Sequence, residues 1–334
     1  MEIWVLLGSL ILILIGAEAF TNALEHVGER LGISEGVTGS IFAAVGTALP
    51  EAMVPIVAVL ASSGNLEIRH EVGVGAILGA PLMLSTLTLC LMGIFAANSR
   101  GWQQPFRPEP TGLHRDLTWF LMAFTVGGMA VFVPPEWRVV RVTIALVLVL
   151  MYMMYLLLTI RASRSLVEQG HGTEADHPLF LSKIHLPENL LTILLQLGFG
   201  LGIIIGGAKG FVYGVEHLAD WLGISALALS LLIVPVATEL PEKINSIIWV
   251  RRGRDTLAFG NITGAMVFQG SLLPALGVML TPWAPRIEVL LGMGLTLVAT
   301  VYLLILSRSG SIKPYHFVAN GLCYLAFVFS IIFF

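Results

Sequence analysis

Long apolar stretches follow one another from end to end of the chain, separated by short polar or Pro/Gly-rich connectors. Ten can be drawn, at roughly 3–28, 34–61, 70–97, 116–133, 139–160, 189–216, 224–250, 256–280, 287–307 and 313–334. Each has about the length a helix needs to cross a hydrocarbon core ~30 Å thick. The pattern therefore predicts an all-α polytopic membrane protein with ten transmembrane helices. The longest connector, 161–187, holds Arg161, Arg164, Glu168, Glu174, Asp176 and Lys183. It divides the chain into five spans (1–160) and five spans (188–334).

Composition excludes a soluble protein. Of 334 residues 56% are hydrophobic and only 12% charged, where a globular chain carries about 25% charged residues. Met1-Glu2-Ile3-Trp4 runs straight into the first apolar stretch without a basic leader, so a retained first span is expected. Cys90 and Cys323 both lie in apolar segments, which supports neither a disulfide framework nor a cysteine metal site. Loop arginines and lysines divide 12 to 4 in favour of the side that bears the 161–187 linker. The basic-residue rule then places that linker in the cytoplasm and both termini outside. The expected location is the plasma (inner) membrane of a prokaryote.

The two halves are related. With a constant offset of 191 and no gap, Gly16–Glu51 aligns with Gly207–Glu242, and 14 of 36 positions are identical. They include Glu25-His26 with Glu216-His217, Leu31–Ser34 with Leu222–Ser225, and Pro50-Glu51 with Pro241-Glu242. Apolar composition alone does not match a Glu-His and a Pro-Glu pair in one register. A repeat of five spans, an odd number, re-enters the membrane with opposite orientation, so two inverted five-helix repeats are expected, with sites near the midplane.

Candidate chemistry lies where the repeats put charge at bilayer depth. A carboxylate there is costly and is by default a functional residue. Val45–Glu51 and Val236–Glu242 each place a glutamate directly after a proline. Pro50 and Pro241 each remove a backbone donor and should break their helices, freeing carbonyls near Gly46–Thr47 and Ala237–Thr238. The Thr47 and Thr238 hydroxyls and the Glu51 and Glu242 carboxylates add oxygens, which suit Ca2+ or Na+. The plain alternative is a kinked helix with a protonated glutamate. Two motifs in symmetric register favour the ligand reading. The next span of each repeat is Gly-rich, chiefly for close packing. Asn261 and Gln269 of the second copy correspond, at an offset of 185, to Ala76 and Leu84, so polar groups concentrate in the second half.

These phrases resemble the sodium/calcium exchanger (cation/Ca2+ antiporter) superfamily. Its two inverted repeats each carry a G-T-S-x-P-E-like phrase followed by a G-N-x-x-G-S-like phrase. The resemblance is closest at Gly46–Glu51, Thr238–Glu242 and Gly260–Gly264. It implies that Glu51 and Glu242 are metal ligands at the centre of the ion site, assisted by Thr47, Thr238 and Asn261, with Gln269 on the eighth span. The chain departs from the pattern at Ala76, Ala80, Ala265 and Leu84.

The second repeat adds Glu239 and Lys243, which tune the charge of the site. Four residues apart on a helix, they can face one another. They either neutralise each other or set an ammonium in a cation site. Glu18 and Lys209 occupy matching positions in spans one and six and are expected to be structural intramembrane charges, paired together or locally.

No H-E-x-x-H or other intramembrane enzyme motif occurs, so an enzyme is not expected. A channel would more usually draw its symmetry from oligomers, and the sequence sets no oligomeric state. The expected function is secondary-active antiport by alternating access, Ca2+ exchanged for Na+ or H+. Cation/proton antiport with Lys243 as built-in counter-charge, or transport of a non-metal substrate, stays open. The expected partners are the lipid bilayer and small inorganic cations, with no nucleic acid and no cofactor beyond the transported ions.

Overall fold

The computed structural model describes residues 2–30, 44–60, 65–167 and 178–333. The helices are α1 Glu2–Arg30, α2 Ala44–Leu60, α3 Leu66–Met83, α4 Leu89–Arg100, α5 Pro110–Met129 and α6 Arg138–Val167. After them come α7 Leu190–Leu222, α8 Ala226–Thr238, α9 Leu240–Arg251, α10 Asp255–Leu280, α11 Ile287–Arg308 and α12 Phe317–Phe333. Among the described residues there is no strand, only an isolated bridge between Phe106 and Ile312. Among the described residues, seven helical segments are long and apolar enough to cross a membrane, the longest being Leu66–Arg100, which joins α3 and α4. Shorter apolar helices cover Glu51–Leu60 and Ala226–Val236. The expected second span, 34–61, lies partly outside the described residues.

The chain divides into two packed units, Met1–Ser63 with Met153–Trp221, and Gly64–Tyr152 with Leu222–Phe334. This division is one of packing, whereas the five-plus-five division is one of sequence similarity.

In the first unit α1 and α7 meet through small residues. A Cβ added at Gly200 would lie 2.9 Å from the Phe20 nitrogen, and one at Gly207 2.9 Å from Ile13. Such close backbone approach is how helices associate where water supplies no driving force. Around it Ala17, Phe20, Leu24 and Ile204 form a buried cluster that also takes in Met53 of α2. The Gln196 amide donates to the Ala19 carbonyl at 2.9 Å and to Asn22 at 2.8 Å. Asn22 in turn accepts from Phe180 N, which ties the 3-10 turn Phe180–Ile184 to α1. Glu18 and Lys209 are both exposed. Among the described residues no ion pair joins Glu18 to Lys209, which is one of the two pairings considered for them.

The second unit carries the polar core. Gly75 and Gly79 of α3 let α8 come close: a Cβ at Gly79 would stand 2.5 Å from the Leu231 carbonyl, and one at Gly75 2.5 Å from Ser230. The Gly-rich third span thus packs as expected. Both ends of this unit are tied by charges. At one, Asp255 at the start of α10 accepts from Arg100 at 2.7 Å and from the Arg107 nitrogen at 2.7 Å. At the other, Arg141 donates to the carbonyls of Val278, Thr281 and Pro282, satisfying the orphan acceptors of the α10 C-terminus. Glu71 pairs with Arg286 and accepts from Leu227 N, in the first turn of α8.

Two boundaries differ from expectation for local reasons. The fourth span starts at Pro110 rather than 116, because the Glu109 carboxylate caps it, accepting from Thr111 N at 2.8 Å and Gly112 N at 2.6 Å. The repeated phrase Leu222–Ser225 is a stop and a start. Gly223 takes φ +68° to end α7, and the Ser225 hydroxyl accepts from Ala228 N to begin α8.

Candidate functional site

The interruption expected of the second repeat falls at Glu239, two residues before Pro241. α8 ends at Thr238 and α9 begins at Leu240, leaving Glu239 between them at φ −99°, ψ 12°. Pro241 has no N–H, so the chain cannot continue the ladder through it, but a proline is tolerated in the first turn of a new helix. Backbone bonds from Glu239 N to Pro235 O and from Lys243 N to Glu239 O span the interruption. Glu242 sits in the first turn of α9, where the helix dipole favours a carboxylate.

Four buried polar side chains lie at this break. Glu239 is 0% exposed, Glu242 2%, Lys243 5% and Gln269 0%. The Lys243 ammonium turns back over the break, donating to the Pro235 carbonyl at 2.9 Å and lying 3.7 Å from a Glu239 carboxylate oxygen. It also touches the thioether of Met83, at the end of α3. The Gln269 amide donates to the other Glu239 oxygen at 3.4 Å. Two carboxylates against one ammonium leave one formal negative charge in excess in this buried cluster. Lys243 and Glu239 thus face each other as their spacing implies.

The remaining residues of the expected set divide. Asn261 donates to the Glu242 carbonyl at 3.2 Å and to Ser246 at 3.0 Å, so its amide holds the backbone of α9 beside the carboxylate. The Thr238 hydroxyl donates to Val234 O, four residues back. Glu51 is buried in the other unit, at 3% exposure on α2. The side chains of Thr47, Pro50 and Pro241 lie outside the described residues. The helix break expected at Pro50 is absent, since α2 runs unbroken from Ala44 to Leu60. The carbonyl its ring would meet belongs to Gly46, which has no Cβ and adjusts its backbone easily. No group of three or more His, Cys, Asp or Glu among the described residues could hold a metal ion. A hard cation taking six to eight oxygens would therefore need carbonyl, hydroxyl, amide and water oxygens as well.

Sequence reading missed two features. One is the set of acceptors supplied to Lys243 by Met83 and Pro235. The other is a π turn at Leu84–Thr88, between α3 and α4. Beyond Ala76 and Leu84 the third span thus carries buried polar groups: Ser85, Thr86 and Thr88 are all 0% exposed. The Ser85 and Thr86 hydroxyls donate to Leu82 O, and the Ser85 carbonyl accepts from Asn320 of α12 at 2.7 Å. The signal was present as Pro81 followed by Ser-Thr-Leu-Thr in an otherwise apolar span. Such turns recur at functional positions of helices.

The family described as sodium/calcium exchanger protein matches residues 1–161 and 192–334. Inner membrane protein YrbG of Escherichia coli K12 is 26% identical over 277 residues, which is 83% of this chain and 79% of that protein. The crystal structure of the H+/Ca2+ exchanger CAX superposes with a TM-score of 0.73 at 18% identity, covering 99% of this chain and 82% of that one. A structure of the sodium-calcium exchanger NCX_Mj gives 0.60 at 19% identity, covering 99% and 98%. At these identities the structural likeness is one of fold.

Proposed function

The chain belongs to the sodium/calcium exchanger family, and from that premise we propose that it is a secondary-active antiporter exchanging Ca2+ for protons. Membership makes it an integral membrane transporter of small cations. The proposal adds the ion pair, an arrangement of ten spans in two inverted sets of five, and the orientation with both termini outside.

One observation carries the ion pair: Glu239, Glu242 and Lys243 are buried together at a helix interruption, with one formal negative charge in excess. A charge left uncompensated at such depth costs several kcal/mol, on the order of the penalty for burying any lone ion. A buried carboxylate of this cluster is therefore favoured with a cation or a proton on it rather than with neither. Exchange of one for the other meets that condition at every stage of a cycle. Glu242, buried in the first turn of α9 beside the break, is on this reading the carboxylate for which the two compete, and Glu239 is the one that Lys243 and Gln269 hold. Glu51, buried in the first repeat, is the corresponding ligand there. The solved relatives named as exchanging Ca2+ do so against H+ in one case and Na+ in the other. The ammonium at the second-repeat break favours the first of these.

Purified protein in vesicles loaded with a pH-sensitive dye tests the reading. Addition of Ca2+ outside should acidify the outside and alkalinise the lumen, at a rate that does not depend on Na+. A dye signal that stays flat with Ca2+ but responds when a Na+ gradient is imposed would overturn proton coupling.

A further inference from the structure

We infer that Lys243 is a tethered cation: its ammonium fills a place that a free monovalent ion would otherwise occupy, and so makes transport independent of Na+ and K+. The inference deepens the proposed function and rests on its reading of the Glu239–Glu242 break as an ion site.

The surroundings of the ammonium are those of an ion site. Around it lie the Pro235 carbonyl oxygen at 2.9 Å, a Glu239 carboxylate oxygen at 3.7 Å and the Met83 sulfur. A backbone carbonyl at a helix end and a carboxylate are the groups that replace the hydration shell of a bare monovalent cation. An ammonium matches K+ closely in size and charge. Each acceptor is held by an independent backbone feature. Pro235 O lies in the last turn of α8, where it also accepts from Glu239 N at the break. Glu239 is the one residue between two helices. Met83 is the last residue before the π turn.

The arrangement belongs to one repeat only. At the offset of 191, Glu239 and Lys243 correspond to Ala48 and Ala52. A pair needed merely to hold the fold of a repeat would be expected in both copies. Here one copy has gained an acidic and a basic group four residues apart, and the ammonium adds a positive charge that never leaves the protein.

The test removes the ammonium from the full chain while leaving its acceptors. Lys243→Ala and Lys243→Met should bind one radiolabelled Na+ or K+ per chain where the wild type binds none. Ca2+ transport by Lys243→Ala should be at least tenfold faster in Na+, K+ or ammonium chloride than in choline chloride. Wild-type transport should be equal in all four salts. The double variant Glu239→Gln/Lys243→Met, which lacks the carboxylate too, should lose the gained binding. Equal behaviour of Lys243→Ala in choline and in the small cations, or a wild type that itself binds Na+ or K+ at this stoichiometry, overturns the inference. Recovery of Lys243→Ala as folded protein only in the small-cation salts is the same gain, read through stability. Failure in every salt while the double variant is sound shows that a free ion cannot replace the ammonium, and the inference falls. Should the wild type move no Ca2+ against protons, the proposed function fails, yet the binding comparison still decides the role of Lys243.

Discussion

Glu242 and Lys243 are neighbours in the chain but do opposite things. The carboxylate lies at a helix N-terminus, and the ammonium reaches back across the break to a carbonyl two turns earlier. On this reading Glu242→Gln and Glu51→Gln should each lower Ca2+ transport at least a hundredfold while leaving a monodisperse, folded protein, as flux assays and gel filtration can check. Glu239→Gln should instead act on stability, because it strips the ammonium of its counter-charge. Breaking a buried pair from one side costs about 3–5 kcal/mol. The double variant Glu239→Gln/Lys243→Met should recover most of that loss, visible as a melting temperature closer to wild type than that of Glu239→Gln. If the single and double variants melt alike, the pair does not matter to stability. The two glutamates and the i,i+4 spacing were legible in the sequence, since charge in an apolar span stands out. What Lys243 touches was not, because a carbonyl and a methionine leave no polar mark.

At the scale of elements, the two repeats have diverged in how they break. Pro241 opens a new helix, whereas Pro50 is carried within α2. Proline position alone predicted two breaks. Pro81 and Pro235, carried within α3 and α8, likewise show that a proline need not end a helix. Pro241→Ala should fuse α8 and α9 and slow transport more than tenfold with little change in melting temperature. The stripe of Gly75 and Gly79 was legible as a packing surface, and Gly79→Leu should cost at least about 3 kcal/mol, the upper end for overpacking, since backbone of α8 stands in its way. Either variant behaving like the wild type would contradict the element it probes. At the start of α5, partial burial pushes the Glu109 carboxyl up, but the N–H groups of Gly112 and Thr111 prevail and hold it below its ordinary range. Its cap therefore strengthens the fold above the unfolded carboxylate range and is lost as pH falls through the lowered value. Glu109→Gln should flatten the acid limb of the stability profile.

Across the whole molecule, the family match, the apolar helices and the repeated phrases agree on a membrane transporter of cations. The hydropathy pattern made the helical class plain. It could not reveal the π turn or the one-residue interruption, which depend on backbone hydrogen bonding rather than on apolar content. The proposed orientation, with the 161–187 linker in the cytoplasm, predicts that a single cysteine put into it, in an otherwise cysteine-free chain, is labelled only from that side by an impermeant reagent. Labelling from outside would reverse the orientation. The central claim, that protons are the counter-ion, is tested most directly by radiolabelled Ca2+ uptake into proteoliposomes with a lumen more acidic than the medium, in Na+-free buffer. The expected result is uptake well above that of empty and Glu242→Gln vesicles, abolished when a protonophore collapses the pH difference at clamped membrane potential. Uptake that ignores the pH difference and appears only with Na+ inside would contradict it.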